Sequence, residues 1–89
     1  MVTRVAGEVW GKPHLDQKTK ALICCAIDIV DGGTMPLFPH LDMSMKQGVT
    51  VEELHELVIF MTVYAGFNKA VAAMVLFKEF LAERNSSNG

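Results

Sequence analysis

Apolar side chains recur along this chain at spacings of three and four, in stretches separated by glycine, proline and capping residues. Asp16 can cap a first helix over about residues 17–31, stopped by Gly32-Gly33. Leu22, Ala26 and Ile29 fall on one face of it with Ile23 and Val30 beside them, while Gln17, Lys20, Asp28 and Asp31 gather opposite. Residues 34–39 hold two prolines, which fix the backbone and read as a constrained connector delivering His40 to a second, short helix. That helix should run to about Gln47 and end at Gly48, with Leu41, Ser44 and Met45 inward and Asp42 and Lys46 outward.

Thr50-Val51-Glu52-Glu53 has the form of a capping box, in which hydroxyl and carboxylate each bond the other residue's amide. The third helix places Leu54, Leu57, Val58 and Met61 on one face, and its opposite face changes from Glu52, His55 and Glu56 to Ile59, Phe60 and Val63. A helix apolar on both sides must be covered on both sides, which points to an interface. Gly66 is expected to bend one long helix or to mark a close backbone approach. A fourth helix to about Arg84 carries Phe67, Ala70, Val71, Met74, Phe77 and Leu81 on one stripe, with Leu76 and Phe80 off it. The expected architecture is all-α: one domain of about four helices over residues 1–84, and a disordered tail over 85–89.

Size and composition narrow the classes. A domain of 89 residues buries only about two thirds of its unfolded surface, so stability usually needs an added source. Half the residues are apolar and the mean hydropathy is +0.28, an excess that partner subunits would absorb; a homo-oligomer is the expectation. No apolar run reaches the roughly 18 residues of a membrane span. With a net charge of -2 and no basic cluster, nucleic-acid binding has no electrostatic footprint. The N-terminal residues lack a secretory signal's apolar core, and two adjacent cysteines form neither a disulfide framework nor a zinc spacing, so a cytoplasmic setting and no metal are expected.

Few residues offer chemistry. His40 stands alone at the head of an apolar run, where a histidine is commonly a hydrogen-bonded structural group; it is also the side chain suited to proton transfer near neutrality. Cys24 falls on the polar side of the first helix and Cys25 nearer the apolar stripe, too divergent to bridge each other. Trp10, bracketed by glycines in an extended lead-in over residues 7–15, reads as an anchor on the core or as a ligand wall. The methionines read as core filler.

Several ordered pieces together resemble the carboxymuconolactone decarboxylase family. They are Gly7-Glu8-Val9-Trp10-Gly11-Lys12-Pro13, Leu15-Asp16-Gln17-Lys18-Thr19-Lys20, His40-Leu41, residues 48–54 and residues 63–70. The likeness spans about Ala6 to Glu83. It implies an alkylhydroperoxidase D-like helical fold, assembly as trimers or hexamers, and pockets near subunit contacts. It further implies a cofactor-free lyase acting on a small carboxylated lactone in aromatic-compound catabolism, with His40 as acid/base and Trp10, Phe38, Tyr64 and Phe67 as candidate walls of the substrate pocket.

This chain also departs from the family pattern. Ala21 stands where the family has an acid, Asp42 where it has an arginine, and the usual leading helix is missing. An unpaired buried carboxylate at Asp42 would repel a dicarboxylate by several kcal/mol. The peroxidase-type relatives' Cys-x-x-Cys maps to Gly33 and Pro36, which excludes that thiol chemistry. Two readings follow. One is a cofactor-independent decarboxylase; the other is a non-catalytic or small-ligand-binding family member whose main property is assembly.

Overall fold

A computed structural model describes residues 7–32 and 34–88. Among the described residues the long helices are α1 (Gln17–Asp31), α2 (Thr34–Lys46), α3 (Val51–Tyr64) and α4 (Phe67–Asn88), and no strand occurs. The fold is all-α, as the periodicity requires. Gly33, the first six residues and Gly89 lie outside the described residues, and with them parts of the expected helix stop, domain start and tail.

The helix starts are set locally. The Thr19 amide donates to Asp16 Oδ1 at 2.7 Å, capping α1. At α3 both halves of the capping box form: the Glu53 amide donates to Thr50 Oγ1 at 3.1 Å and the Thr50 amide to Glu53 Oε1 at 2.9 Å. A Lys18–Glu53 ion pair at 2.8 Å joins these two starts. Gly32 ends α1 at φ +70°, with its amide bonded to the Asp28 and Ile29 carbonyls.

Other boundaries differ from the sequence reading. Residues 7–10 form a helical turn, where an extended lead-in was expected, and the Gly11 amide closes it on the Gly7 carbonyl at 3.1 Å. Helix α2 begins at Thr34 and runs through Pro36 and Pro39, so the supposed connector is helix. Pro36 falls in the first turn, where no intrahelical N–H is needed, and only Pro39 removes a bond. Gly66 neither bends a helix nor marks a close approach. Its φ of +105° separates α3 from α4, and nothing lies within 4 Å of a Cβ built there. Helix α4 continues to Asn88, beyond the expected end at Arg84 and through residues assigned to a tail.

Helix α1 packs most extensively on α2, α3 packs on α4, and α2 and α3 close the bundle against α4 and α1. Ile29, Leu37, Leu41, Val49, Leu54, Val58, Ala70, Ala73, Phe77 and Phe80 form the buried centre. Side chains of this kind contribute about 1.5–3 kcal/mol each when large and fully buried.

Two faces are rotated from expectation. On α4 the buried stripe is Ala70, Ala73, Phe77 and Phe80, while Phe67 and Val71 are exposed. On α1 the most buried residues are Ala21, Cys25, Asp28 and Ile29, and Ile23, Ile27 and Val30 lie open. Small side chains explain the second case: Ala21 and Cys25 meet Ser44 of α2, which lets the helices approach closely. Asp28 is carried inward with them, away from the polar face assigned to it.

Candidate active site

Asp28 lies two turns beyond Ala21 on the same face of α1, since a spacing of seven returns close to the starting direction. Asp28 thus shares the buried face of α1 with Ala21 and Cys25. Asp28 is 8% exposed, and its Oδ2 accepts from His40 Nδ1 across the α1–α2 seam. A buried carboxylate is tolerable only when paired. The His40 side chain is 35% exposed, and its Nε2 makes no hydrogen bond to a described residue. The contact at Nδ1 fixes the tautomer and ring orientation, leaving Nε2 as the nitrogen able to meet a ligand.

One turn further along α2, the fully buried Ser44 hydroxyl donates to the His40 carbonyl at 2.8 Å and lies 3.2 Å from Cys25 Sγ. His40 is thus held twice, by its ring and by its backbone. Burial pushes the Cys25 thiol up to about 11, with the Ser44 bond offsetting part of the rise and the Asp28 charge adding to it. Cys24 is likewise raised, by burial first and then by Asp28. Neither thiol is ionised near neutrality, so both are unreactive nucleophiles.

Asp42 faces outward, as its helical position requires, so the repulsion of an unpaired buried carboxylate does not arise. Its side chain is 43% exposed and pairs with Lys46 at 3.0 Å and Arg84 at 3.8 Å. Helix α4 supplies the Arg84 guanidinium beside Asp42, and with Lys46 it largely offsets the local charge.

The four candidate wall residues do not surround His40 within one chain. Phe38, two residues before His40, points to the other side of α2 and meets Phe80 edge-on at 5.3 Å. Tyr64 is 71% exposed and stacks on Phe60 at 4.8 Å, and Phe67 is 70% exposed beside the α3–α4 turn. Trp10 is half-buried, outside the central core, and lines a cleft of about 440 Å³ between the N-terminal turn and α1. Lys20 holds this turn in place, donating to the carbonyls of Trp10 and Lys12 at 2.7 Å and of Val9 at 3.4 Å. A second cleft of about 410 Å³ lies between α3 and α4, rimmed by Glu52, His55, Glu56 and Lys78. His40 lines neither cleft.

Asp28 is the site residue that sequence reasoning missed. Its signal was an acid flanked by Ile27, Ile29 and Val30, a setting in which a carboxylate needs a partner. Among the described residues no cluster of three His, Cys, Asp or Glu side chains could hold a metal ion, and no helix is long and apolar enough to cross a membrane.

Comparison with known proteins places these features in a lineage. The model of the carboxymuconolactone decarboxylase family matches residues 1–79. A 4-carboxymuconolactone decarboxylase of Acinetobacter baylyi is 37% identical over 73 residues, covering 82% of this chain and 54% of that protein. A nitrosuccinic acid decarboxylase of Metarhizium robertsii is 31% identical over 70 residues, covering 79% and 49%. The chain spans about half the length of these relatives. No solved structure matches.

Proposed function

The chain belongs to the carboxymuconolactone decarboxylase family, and from that premise we propose that it is a cofactor-independent decarboxylase of a small carboxylated lactone or related activated acid. The observation carrying this reading is the Asp28–His40 pair, an oriented imidazole at a half-buried position.

The relatives' names, carboxymuconolactone and nitrosuccinic acid, share one chemical feature. Each is an acid with a second electron-withdrawing group, a lactone carbonyl in one and a nitro group in the other. Such a group accepts the electron pair released when the bond to the carboxylate breaks and carbon dioxide leaves, so the substrate supplies its own electron sink. The remaining carbanion needs one proton. His40, protonated at Nε2, delivers it to carbon, and Asp28 keeps the ring aimed while it does so. Positioned general acids of this kind contribute about 10²–10⁴-fold.

The same proposal includes self-assembly as a trimer or hexamer. Ile59, Phe60, Val63, Tyr64, Phe67, Val71 and Val75 are all exposed on α3 and α4, and open apolar surface of this extent is characteristic of interaction sites. Assembly could bring the separated aromatic walls to a neighbouring chain's His40.

Turnover of 4-carboxymuconolactone and of nitrosuccinate, followed by carbon dioxide release, tests the reading. His40→Ala should lower turnover by about 10²–10⁴-fold while light scattering shows an unchanged assembly. Unchanged turnover in a correctly assembled variant would sink the role of His40. A wild-type protein that assembles but turns over neither acid would favour the non-catalytic, ligand-binding reading.

A further inference from the structure

The cleft beside the N-terminal turn combines an apolar surface with fixed positive charge. Trp10, Ile23 and Cys24 provide its apolar lining, and Lys12, His14 and Lys20 are the basic residues along it, with no carboxylate among the described residues that line it. Its volume of about 440 Å³ lies within the range of small-molecule sites, where a few polar groups orient a ligand against apolar walls.

Lys20 is the unusual member. Its ammonium donates to three backbone carbonyls, those of Trp10, Lys12 and Val9. These acceptors use its hydrogens but carry no formal charge, so Lys20 acts on a ligand through its charge alone, partly offset by the Asp16 carboxylate. The ordering of a long side chain is already accomplished before any ligand arrives. The Asp16 carboxylate is engaged at the α1 cap, and Lys12 is exposed. With two lysines and no carboxylate among its lining residues, the cleft favours anions over neutral molecules of the same shape, a preference reduced by the Asp28 charge that reaches Cys24.

We propose that this cleft binds a small organic monoanion with a ring or short branched body, the body lying on Trp10 and Ile23 and the carboxylate facing Lys12 and Lys20. Cys24 acts there as a thiol wall, since burial and Asp28 keep it protonated. The site is distinct from the Asp28–His40 pair. Cys24 and Asp28 are one turn apart on α1, but Cys24 faces the cleft while Asp28 turns beneath α2. The inference therefore stands independently of decarboxylation by His40.

Trp10 is the single tryptophan, so its emission reports the site directly. The full chain is titrated with cyclohexanecarboxylate and, separately, with neutral cyclohexylmethanol. A saturable change with the carboxylate is expected, with affinity about tenfold weaker for the alcohol. Lys12→Met should weaken carboxylate binding about three- to tenfold, and His40→Ala should leave it unchanged. Cys24→Phe should abolish it by filling the cleft. Ile23→Glu, at a position 43% exposed that can accept charge without unfolding, should abolish it by repulsion. No saturable response, equal affinity for the alcohol, or binding that survives Ile23→Glu overturns the proposal. So does loss of binding in a folded His40→Ala protein, which would seat the anion on the imidazole.

Discussion

The seam between α1 and α2 and the seam between α3 and α4 are built from different chemistry. Among the described residues, both buried polar side chains, Asp28 and Ser44, belong to the first seam. There they form a chain of bonds through His40 and Cys25, and no buried side-chain nitrogen or oxygen is left without a partner. The second seam is apolar: Leu54, Val58 and Met61 meet the face of α4 that carries Ala70, Ala73 and Phe77. Apolar burial supplies stability without demanding one geometry, whereas a satisfied polar network adds little net stability and specifies a single arrangement. The candidate site lies on the seam where arrangement matters.

The difference can be broken experimentally, starting where the effect should be largest. Phe77, 2% exposed in the apolar seam, should cost about 3–5 kcal/mol on Phe77→Ala by urea denaturation. A loss below about 1 kcal/mol would mean that this seam is not the main source of stability.

The polar seam should instead respond to pH. The Cys25 thiol is raised from 9.0 to about 11 in the fold, so the folded state favours the protonated form. That contribution is complete below pH 9 and is lost as pH rises from 9 toward 11, on the order of 2 kcal/mol. Denaturation midpoints of wild type and Cys25→Ala, compared across this window, should show the steeper alkaline decline in wild type. Parallel curves would remove Cys25 from the account.

The smallest effect belongs to the α3 cap. Thr50→Ala should cost about 1 kcal/mol at neutral pH. The Glu53 carboxyl is held below its usual value by the Lys18 hydrogen bond first and the Thr50 amide second. Its contribution is therefore present above the ordinary carboxylate range and fades as pH falls through the lowered value. Thr50→Ala keeps the Thr50 amide and the Lys18 partner, so both proteins should lose this contribution together and the gap between them should hold on acidification; a gap that closes would tie the hydroxyl to the ionised carboxylate.

Legibility in the sequence followed range. Asp16 and the Thr50–Glu53 box were readable because each cap is complete within four residues. The family was readable because its motifs are ordered along the chain. Three things were not. Asp28 was placed on the polar face because its partner lies on another helix, and charge alone points outward. Residues 34–39 were read as a connector because proline content outweighs a helical backbone in any local reading. Phe80 and Phe67 were exchanged between core and surface because a helix apolar on several sides gives periodicity no unique answer. The core helices were therefore visible, but the partner that completes the His40 site was not.

The brevity of the connections has a kinetic consequence. Residues 32–33, 47–50 and 65–66 are all that separate the four helices. Each helix therefore meets its neighbour by closing a short loop, and short-range contacts of this kind allow small helical domains to fold in microseconds to milliseconds. The core aromatics Phe77 and Phe80 are sequestered on that timescale, sooner than diffusing chains can find one another at micromolar concentration. The apolar residues that remain outside then meet other molecules only as part of an ordered surface.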